Sequence, residues 1–187
     1  MKSRIPLLSL AVLACSVPSA SAQKICEQEE ATLFICQTDS HDKYLGICAV
    51  EDRPGETWSA VQYRFGDGDR AEFVYPANPE DGARKLFFSH AVRGTIYGVS
   101  VRFKSGGYTY RVESYGDDAS DPPGNGAAGV TVTNASGKTV ANIACIERPL
   151  MFASYLRMAL ACDLENPHGK AGCAEPPPKE RKAGGRQ

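Results

Sequence analysis

The sequence predicts an all-β protein: a single-domain antiparallel β-sandwich or barrel with one C-terminal helix, stabilised by disulfide bonds. Three observations predict this fold class. Apolar and polar residues mostly alternate between Thr32 and Cys145, turn-forming residues interrupt them at short intervals, and the chain contains seven cysteines. A period of two, broken by turns, is typical of antiparallel strands. We expect about eight to ten strands.

The N-terminus has the pattern of a secretory signal peptide. Lys2 and Arg4 precede an apolar run, Ile5–Ala14, and the small residues Ser19–Ala22 follow it, as at an A-x-A cleavage site. The chain therefore divides into a signal peptide at 1–22, a disulfide-containing β domain at 23–173 and a disordered, Pro-rich tail at 174–187. We expect a secreted or periplasmic protein.

Membrane attachment is the alternative localisation. The apolar run is about half as long as a bilayer-spanning helix, so we expect no membrane span. Val12–Cys15 loosely resembles a lipobox, which makes a lipoprotein anchored through Cys15 the alternative. Leu13 departs from that pattern, because a small residue is usual at its position.

Six cysteines remain after Cys15 leaves with the signal peptide or is lipidated. An even number in an exported chain predicts disulfides. Local spacing favours Cys162–Cys173 and Cys36–Cys48, which leaves Cys26 with Cys145, although the sequence leaves other connectivities open. Zinc is disfavoured, because structural zinc sites pair cysteines roughly two to four residues apart and the closest two here have nine residues between them.

The charge balance argues against nucleic acid as a partner. Without Lys2 and Arg4, 19 of the 21 Lys and Arg residues remain against 22 Asp and Glu, a net charge of −3. A nucleic-acid-binding domain is normally basic.

Four hairpins follow from the alternation and the turn residues between the runs. Asp67, Gly68 and Asp69 also resemble part of a calcium loop, but an EF-hand loop lies between helices, and the flanking runs here predict strands. The paired runs are Leu33–Gln37 with Tyr44–Val50, Val61–Phe65 with Ala71–Tyr75, Val99–Phe103 with Tyr108–Val112, and Val130–Val132 with Val140–Cys145.

The pattern changes after Cys145. Leu150–Ala161 lacks Gly and Pro and follows Pro149, which suits the first turn of a helix. Gly116–Gly129 is rich in Gly, Pro and Asp and predicts a mobile loop. The tail Glu175–Gln187 has three consecutive prolines and many charges, a composition typical of disorder.

Five parts of the sequence together form a recognisable pattern: Tyr63–Gly66, Glu72–Pro76, Gly106–Val112, Val130–Val132 and Cys145. In this pattern the chain resembles a group of small, uncharacterised, exported bacterial proteins. The likeness covers roughly residues 26–145, and it implies an exported β-rich domain with paired cysteines. It supplies no functional residues.

Nucleophilic and metal-assisted chemistry have little support. Ser89 and His90 are adjacent, but neighbouring residues on a strand point to opposite faces and so would not hydrogen-bond. His41 lies in a predicted turn and His168 in a predicted loop. A metal site with three histidine ligands would require both to meet His90 in the folded chain, and no sequence pattern indicates this. We expect no catalytic residue, no metal and no cofactor.

Carboxylates supply two weaker candidates. Glu72 and Glu113 are strand acids that would serve a glycoside hydrolase if they converged, but exposed strands carry Glu routinely. Asp117, Asp118 and Asp121 lie in a Gly-rich loop and offer hard oxygen ligands for calcium, or they only increase solubility.

Tyrosine and arginine alternate along several strands, a combination that is enriched where protein surfaces meet. Strand tyrosines also commonly fill a core. The predicted binding surface consists of Tyr63, Arg64, Tyr108, Tyr110 and Arg111.

These observations favour a non-enzymatic binding or inhibitor domain of the bacterial cell envelope. We expect a protein partner, and a hydrolase such as lysozyme is one candidate by analogy alone. The alternatives are a glycan- or peptidoglycan-acting hydrolase with paired carboxylates and a surface structural protein that self-associates through a strand edge. The sequence does not predict an oligomeric state.

Overall fold

The computed structural model describes residues 25–40, 42–117, 119, 126–167 and 169–174. Two short 3₁₀ helices occupy Pro79–Asp81 and Gly169–Cys173. The strands and helices of the described residues are β1 Ala31–Gln37, β2 Tyr44–Arg53, β3 Thr57–Asp67, β4 Arg70–Tyr75, α1 Gly82–Lys85, β5 Phe87–Arg93, β6 Ile96–Ser105, β7 Tyr108–Asp117, β8 Ala128–Thr133, β9 Thr139–Ala144, β10 Leu150–Met151, α2 Ala153–Ala159 and β11 Ala161–Cys162.

The strands form two sheets packed face to face. One has five strands in the order β10-β1-β2-β3-β4, and the other has six in the order β11-β5-β6-β7-β8-β9. Neighbouring strands are antiparallel except for β11 and β5. Each fully buried aliphatic side chain in the shared core contributes about 1.5–3 kcal/mol. The predicted all-β, disulfide-stabilised fold is confirmed, in its sandwich form, and its core includes Leu33, Ile47, Val61, Val101, Val112 and Val130.

The four predicted hairpins are present as β1–β2, β3–β4, β6–β7 and β8–β9. The stretch that resembled a calcium loop is the connection between β3 and β4, where Asp67 pairs with Arg70 across the turn. Strands therefore flank it on both sides. The strand count exceeds the expected range because β10 and β11, of two residues each, add to the long strands.

The predicted C-terminal helix is present but shorter than Leu150–Ala161. Met151 pairs with Phe34 of β1 before the helix begins, and Ala161 pairs with Phe87 of β5 after it ends. Local composition favoured a helix throughout this segment, but its two ends pair as short strands with β1 and β5. α1 was not predicted, because its four residues carry no helical periodicity.

The disulfides are Cys26–Cys48, Cys36–Cys145 and Cys162–Cys173. The predicted Cys162–Cys173 pair is confirmed. The predicted Cys36–Cys48 and Cys26–Cys145 pairs are wrong, because Cys36 and Cys48 belong to opposite faces of their hairpin. Cys36 packs in the main core, whereas Cys48 packs in a second cluster on the outer face.

Three disulfides are typical of an oxidising compartment outside the cytoplasm. No helix among the described residues has the length and apolar character that crossing a membrane requires. The predicted signal peptide, the lipid-anchor position Cys15 and the tail beyond Ala174 lie outside the described residues.

Candidate functional site

Shallow depressions gather on the outer face of the six-stranded sheet, which is the face turned away from the core. Three of them, of about 240, 170 and 500 Å³, are neighbours along strand β7, because the first shares lining residues with each of the other two. Arg111 lines the first and third, and Glu113 and Tyr115 line the first and second. We call this row of depressions the outer trough, after the face that carries it.

Strand β7 positions these three side chains. They are spaced two residues apart, so the pleat directs all three to one face. β7 is an interior strand, paired with β6 on one side and β8 on the other. The ladder on both sides fixes the backbone from which Arg111, Glu113 and Tyr115 project.

Tyr115 stands between two of the depressions. Gly98 lies opposite it on β6, and a Cβ at that position would come within 2.9 Å of the Tyr115 ring. The phenol donates a hydrogen bond of 2.7 Å to Glu113 Oε1, and the side chain remains 47% exposed. Burial, followed by the bond to Glu113, raises the pKa of Tyr115 to about 12. The ring is thus held in place and still accessible.

Arg111 lies directly opposite Arg102 on β6, an arrangement that is unfavourable unless another group compensates one charge. Asp163 compensates Arg102: it accepts bonds of 2.7 and 2.9 Å from that guanidinium, and this bonding raises the pKa of Arg102. Within the described residues, the Arg111 guanidinium makes no hydrogen bond, and its nearest carboxylate, on Glu113, is 4.0 Å away.

A buried hydroxyl pair forms part of the first depression. Ser89 Oγ and Ser100 Oγ lie 2.8 Å apart, and Asn166 Nδ2 donates to Ser89 at 2.8 Å. His90 stands next to the Phe88 ring, on the opposite face from Ser89, as strand alternation predicts. Ser89 therefore has no histidine base beside it in the part of the chain that the structure describes.

The outer face of the five-stranded sheet is covered. The segment before β1 lies over it, and Cys26 of that segment bonds to Cys48. Arg64 of β3 donates bonds of 2.6 and 2.7 Å to the two oxygens of Glu30. Arg64 is therefore buried beneath this segment.

The five residues of the predicted binding surface do not lie on one surface. Tyr63 is 2% exposed in the core, where burial raises its pKa, and Arg64 is 7% exposed under the N-terminal segment. Tyr110 packs partly buried against Phe103. Only Tyr108, 43% exposed, and the half-buried Arg111 line the outer trough.

The two strand acids also lie apart. Glu72 belongs to β4 of the five-stranded sheet and forms an ion pair with Lys43. Glu113 belongs to β7 of the six-stranded sheet and accepts from Tyr115. Because Glu72 and Glu113 lie on different sheets, the structure does not bring these two carboxylates together as the pair that a glycosidase needs.

Metal ligands do not gather among the described residues, where no group of three or more His, Cys, Asp or Glu side chains is placed to hold an ion. Asp117 accepts a bond from the backbone of Ala119, and its pKa is lowered, first by a hydrogen bond from Thr95. The other proposed calcium ligands, Asp118 and Asp121, lie outside the described residues.

Comparisons with protein-family models, with curated proteins and with solved structures find no match. Function is therefore inferred from the chemistry of the site itself. Sequence reasoning missed the contributions of Ser100, Asp163 and Asn166 to this face, because each acts through a partner at least 11 positions away in the sequence. A serine, an aspartate and an asparagine are common at protein surfaces, so their residue types did not mark them as part of a site.

Proposed function

We propose that this protein is an exported, non-enzymatic binding module of the bacterial cell envelope, and that its partner occupies the outer trough. One observation carries the proposal. Arg111 and Tyr115, a guanidinium without a hydrogen bond in the described residues and a half-exposed aromatic ring, line the same open depression from one face of strand β7, with Glu113 between them. Exposed groups of this kind are enriched at recognition sites.

The C-terminal segment that borders the trough is fixed in the absence of a partner, and this preorganisation supports a role in recognition. The Arg102–Asp163 pair and the Cys162–Cys173 disulfide fix the segment that borders the trough. Groups already held in place lose less conformational entropy on binding, so more of the contact energy appears as affinity.

The sequence predicts a protein partner, of which an envelope hydrolase such as lysozyme is one candidate, and the capture experiment distinguishes a protein from a glycan as the occupant of the trough. Export is supported by the N-terminal pattern and by three disulfides, which persist outside the cytoplasm. The hydrolase alternative receives no support from the separate positions of Glu72 and Glu113.

Affinity capture tests the proposal. The oxidised protein is immobilised and exposed to envelope and culture-medium extracts, and bound proteins and glycans are identified by mass spectrometry. The double variant Arg111→Gln, Tyr115→Ala is the test, and Arg70→Gln, an exposed arginine on β4, is the matched control. We expect a stoichiometric partner on the wild type and the control but not on the double variant.

Two results would contradict this function. Retention of the same partners by all three proteins would show that the trough does not bind them. Shortened glycans in the eluate would instead favour the hydrolase.

A further inference from the structure

We propose that the occupant of the outer trough is a glycan strand that carries carboxylate groups on its sugar rings, as uronic-acid polysaccharides do. This inference rests on the proposed function and names the class of its ligand. Three features of the trough lead to it: the Arg111 guanidinium, which makes no hydrogen bond within the described residues, the half-exposed ring of Tyr115, and the openness of the depressions that these side chains line.

The depression of about 500 Å³ at the hairpin end of β7 offers one guanidinium to an anion. Arg102, Lys104 and Arg111 line it together with a single carboxylate, Glu165. Glu165 binds Lys104 at 3.0 Å, and Asp163 lies fully buried against Arg102. Arg111 is left as the cation whose donors remain available, and a planar guanidinium matches the two oxygens of a carboxylate.

Tyr115 supplies a surface for a sugar ring. Its ring lines both the depression of about 240 Å³ and that of about 170 Å³, so it forms a wall between them. The C–H groups on one side of a pyranose ring pack against aromatic rings through weak C–H contacts and apolar burial. Glu113 and Asn142 line the depression beside this wall and offer polar groups to sugar hydroxyls.

The trough's dimensions favour a polymer. From Thr109 to Tyr115 the strand extends for about 20 Å at the usual rise per residue, and the depressions along it are open and share walls. A small ligand is normally enclosed in one cavity. The centre of a protein–protein interface is normally poor in charge, whereas Arg111 and Glu113 occupy the centre here.

Calorimetric titration of the oxidised full chain tests this ligand class. The probes are oligosaccharides of polygalacturonate, alginate and hyaluronan, each compared with its carboxyl-reduced form. We expect at least one acidic probe to bind and its reduced form to bind much more weakly. Arg111→Gln should weaken the acidic probe about ten- to a hundredfold, and Arg111→Lys should restore part of the affinity.

Tyr115→Ala should weaken that probe about three- to tenfold, whereas Tyr115→Phe, which keeps the ring, should bind close to wild type. Arg70→Gln is again the control, and unfolding in urea verifies that each variant folds. Equal affinity for an acidic probe and its reduced form overturns the inference, as does the absence of binding to all three acidic probes at millimolar concentration.

The two proposals fail in different ways. A protein partner captured through Arg111 and Tyr115, without glycan binding, would overturn the glycan inference and leave the binding module standing. Failure of both capture and titration would remove both proposals.

Discussion

On the outer face of each sheet, a buried arginine on an interior strand binds a carboxylate supplied by a terminal segment. Arg64 binds Glu30 on the five-stranded sheet, and Arg102 binds Asp163 on the six-stranded sheet. A disulfide lies near each pair, Cys26–Cys48 in the first case and Cys162–Cys173 in the second. The two faces thus contain the same chemical elements.

The difference lies in how much of the sheet each segment covers. Ile25 and Cys26 are buried on the five-stranded sheet, where Gly46 provides the room: a Cβ there would come within 2.5 Å of Ile25. The C-terminal segment buries Ser89 and Ser100 on β5 and β6 but leaves Arg111, Glu113 and Tyr115, the outward side chains of β7, partly exposed. A terminal segment can therefore close a sheet face or only border a hollow on it.

The largest expected effect comes from Asp163→Asn. Removing the fully buried charge leaves the buried Arg102 guanidinium with the exposed carboxylate of Glu165, 3.3 Å away, as its remaining ion-pair partner, which should lower the free energy of unfolding by about 3–5 kcal/mol. Urea unfolding followed by the fluorescence of Trp58, the single tryptophan, measures it. Glu165→Gln is the control, because Glu165 approaches the same arginine from an exposed position and should change stability by about 0–1 kcal/mol. An equal loss of unfolding free energy in the two variants would show that the buried and the exposed carboxylate contribute equally to stability.

Replacing Cys26 and Cys48 with alanine should have the next largest effect. The disulfide closes a sequence separation of 22, and its loss should cost about 3 kcal/mol. It should also release the N-terminal segment from the five-stranded sheet, so the backbone amides of that sheet should exchange faster with deuterium. The matched variant replaces Cys162 and Cys173, which span 11 positions. We expect a smaller increase in exchange in the six-stranded sheet of that variant. An equal increase would show that the N-terminal and C-terminal segments cover their sheets to the same extent.

Glu30→Gln should have a smaller effect than Asp163→Asn. Arg64 also donates to Gln62 Oε1 at 2.8 Å and to the Ile25 carbonyl at 3.3 Å, so it keeps partners when the carboxylate is lost. We expect a loss of about 1–3 kcal/mol in urea unfolding. A loss equal to that of Asp163→Asn would mean that these two extra bonds contribute nothing.

The smallest effect concerns the titration of Tyr115 on the open face. Its pKa of about 12 lies above the usual value of about 10, so the folded state favours the neutral phenol. The stability from this preference is present below about pH 10 and is lost as pH rises through the folded pKa. Glu113→Gln should lower the pKa of Tyr115, measured by phenolate absorbance with Tyr115→Phe as reference. An unchanged titration would show that Glu113 does not contribute.

Much of the fold was predictable because its information is local. Alternation identified the strands of four hairpins, and the short spacing of Cys162 and Cys173 identified their disulfide. Spacing alone also places Arg111 and Glu113 on one face of β7, since successive side chains of a strand alternate. The sequence had named Arg111 for binding, but it grouped this residue with Tyr63 and Arg64, which are buried.

Tertiary structure decided the rest because those features depend on contacts between distant segments. Cys36 bonds to Cys145 across 109 positions, and Asp163 reaches Arg102 across 61, distances over which no sequence period carries information. A residue type states what a side chain can do, whereas burial decides what it does: Arg64 and Arg102 are buried and bind carboxylates of the terminal segments, and Arg111 faces the open trough. The sequence by itself determined the strands and their alternating faces, and packing of the two terminal segments determined which face is open.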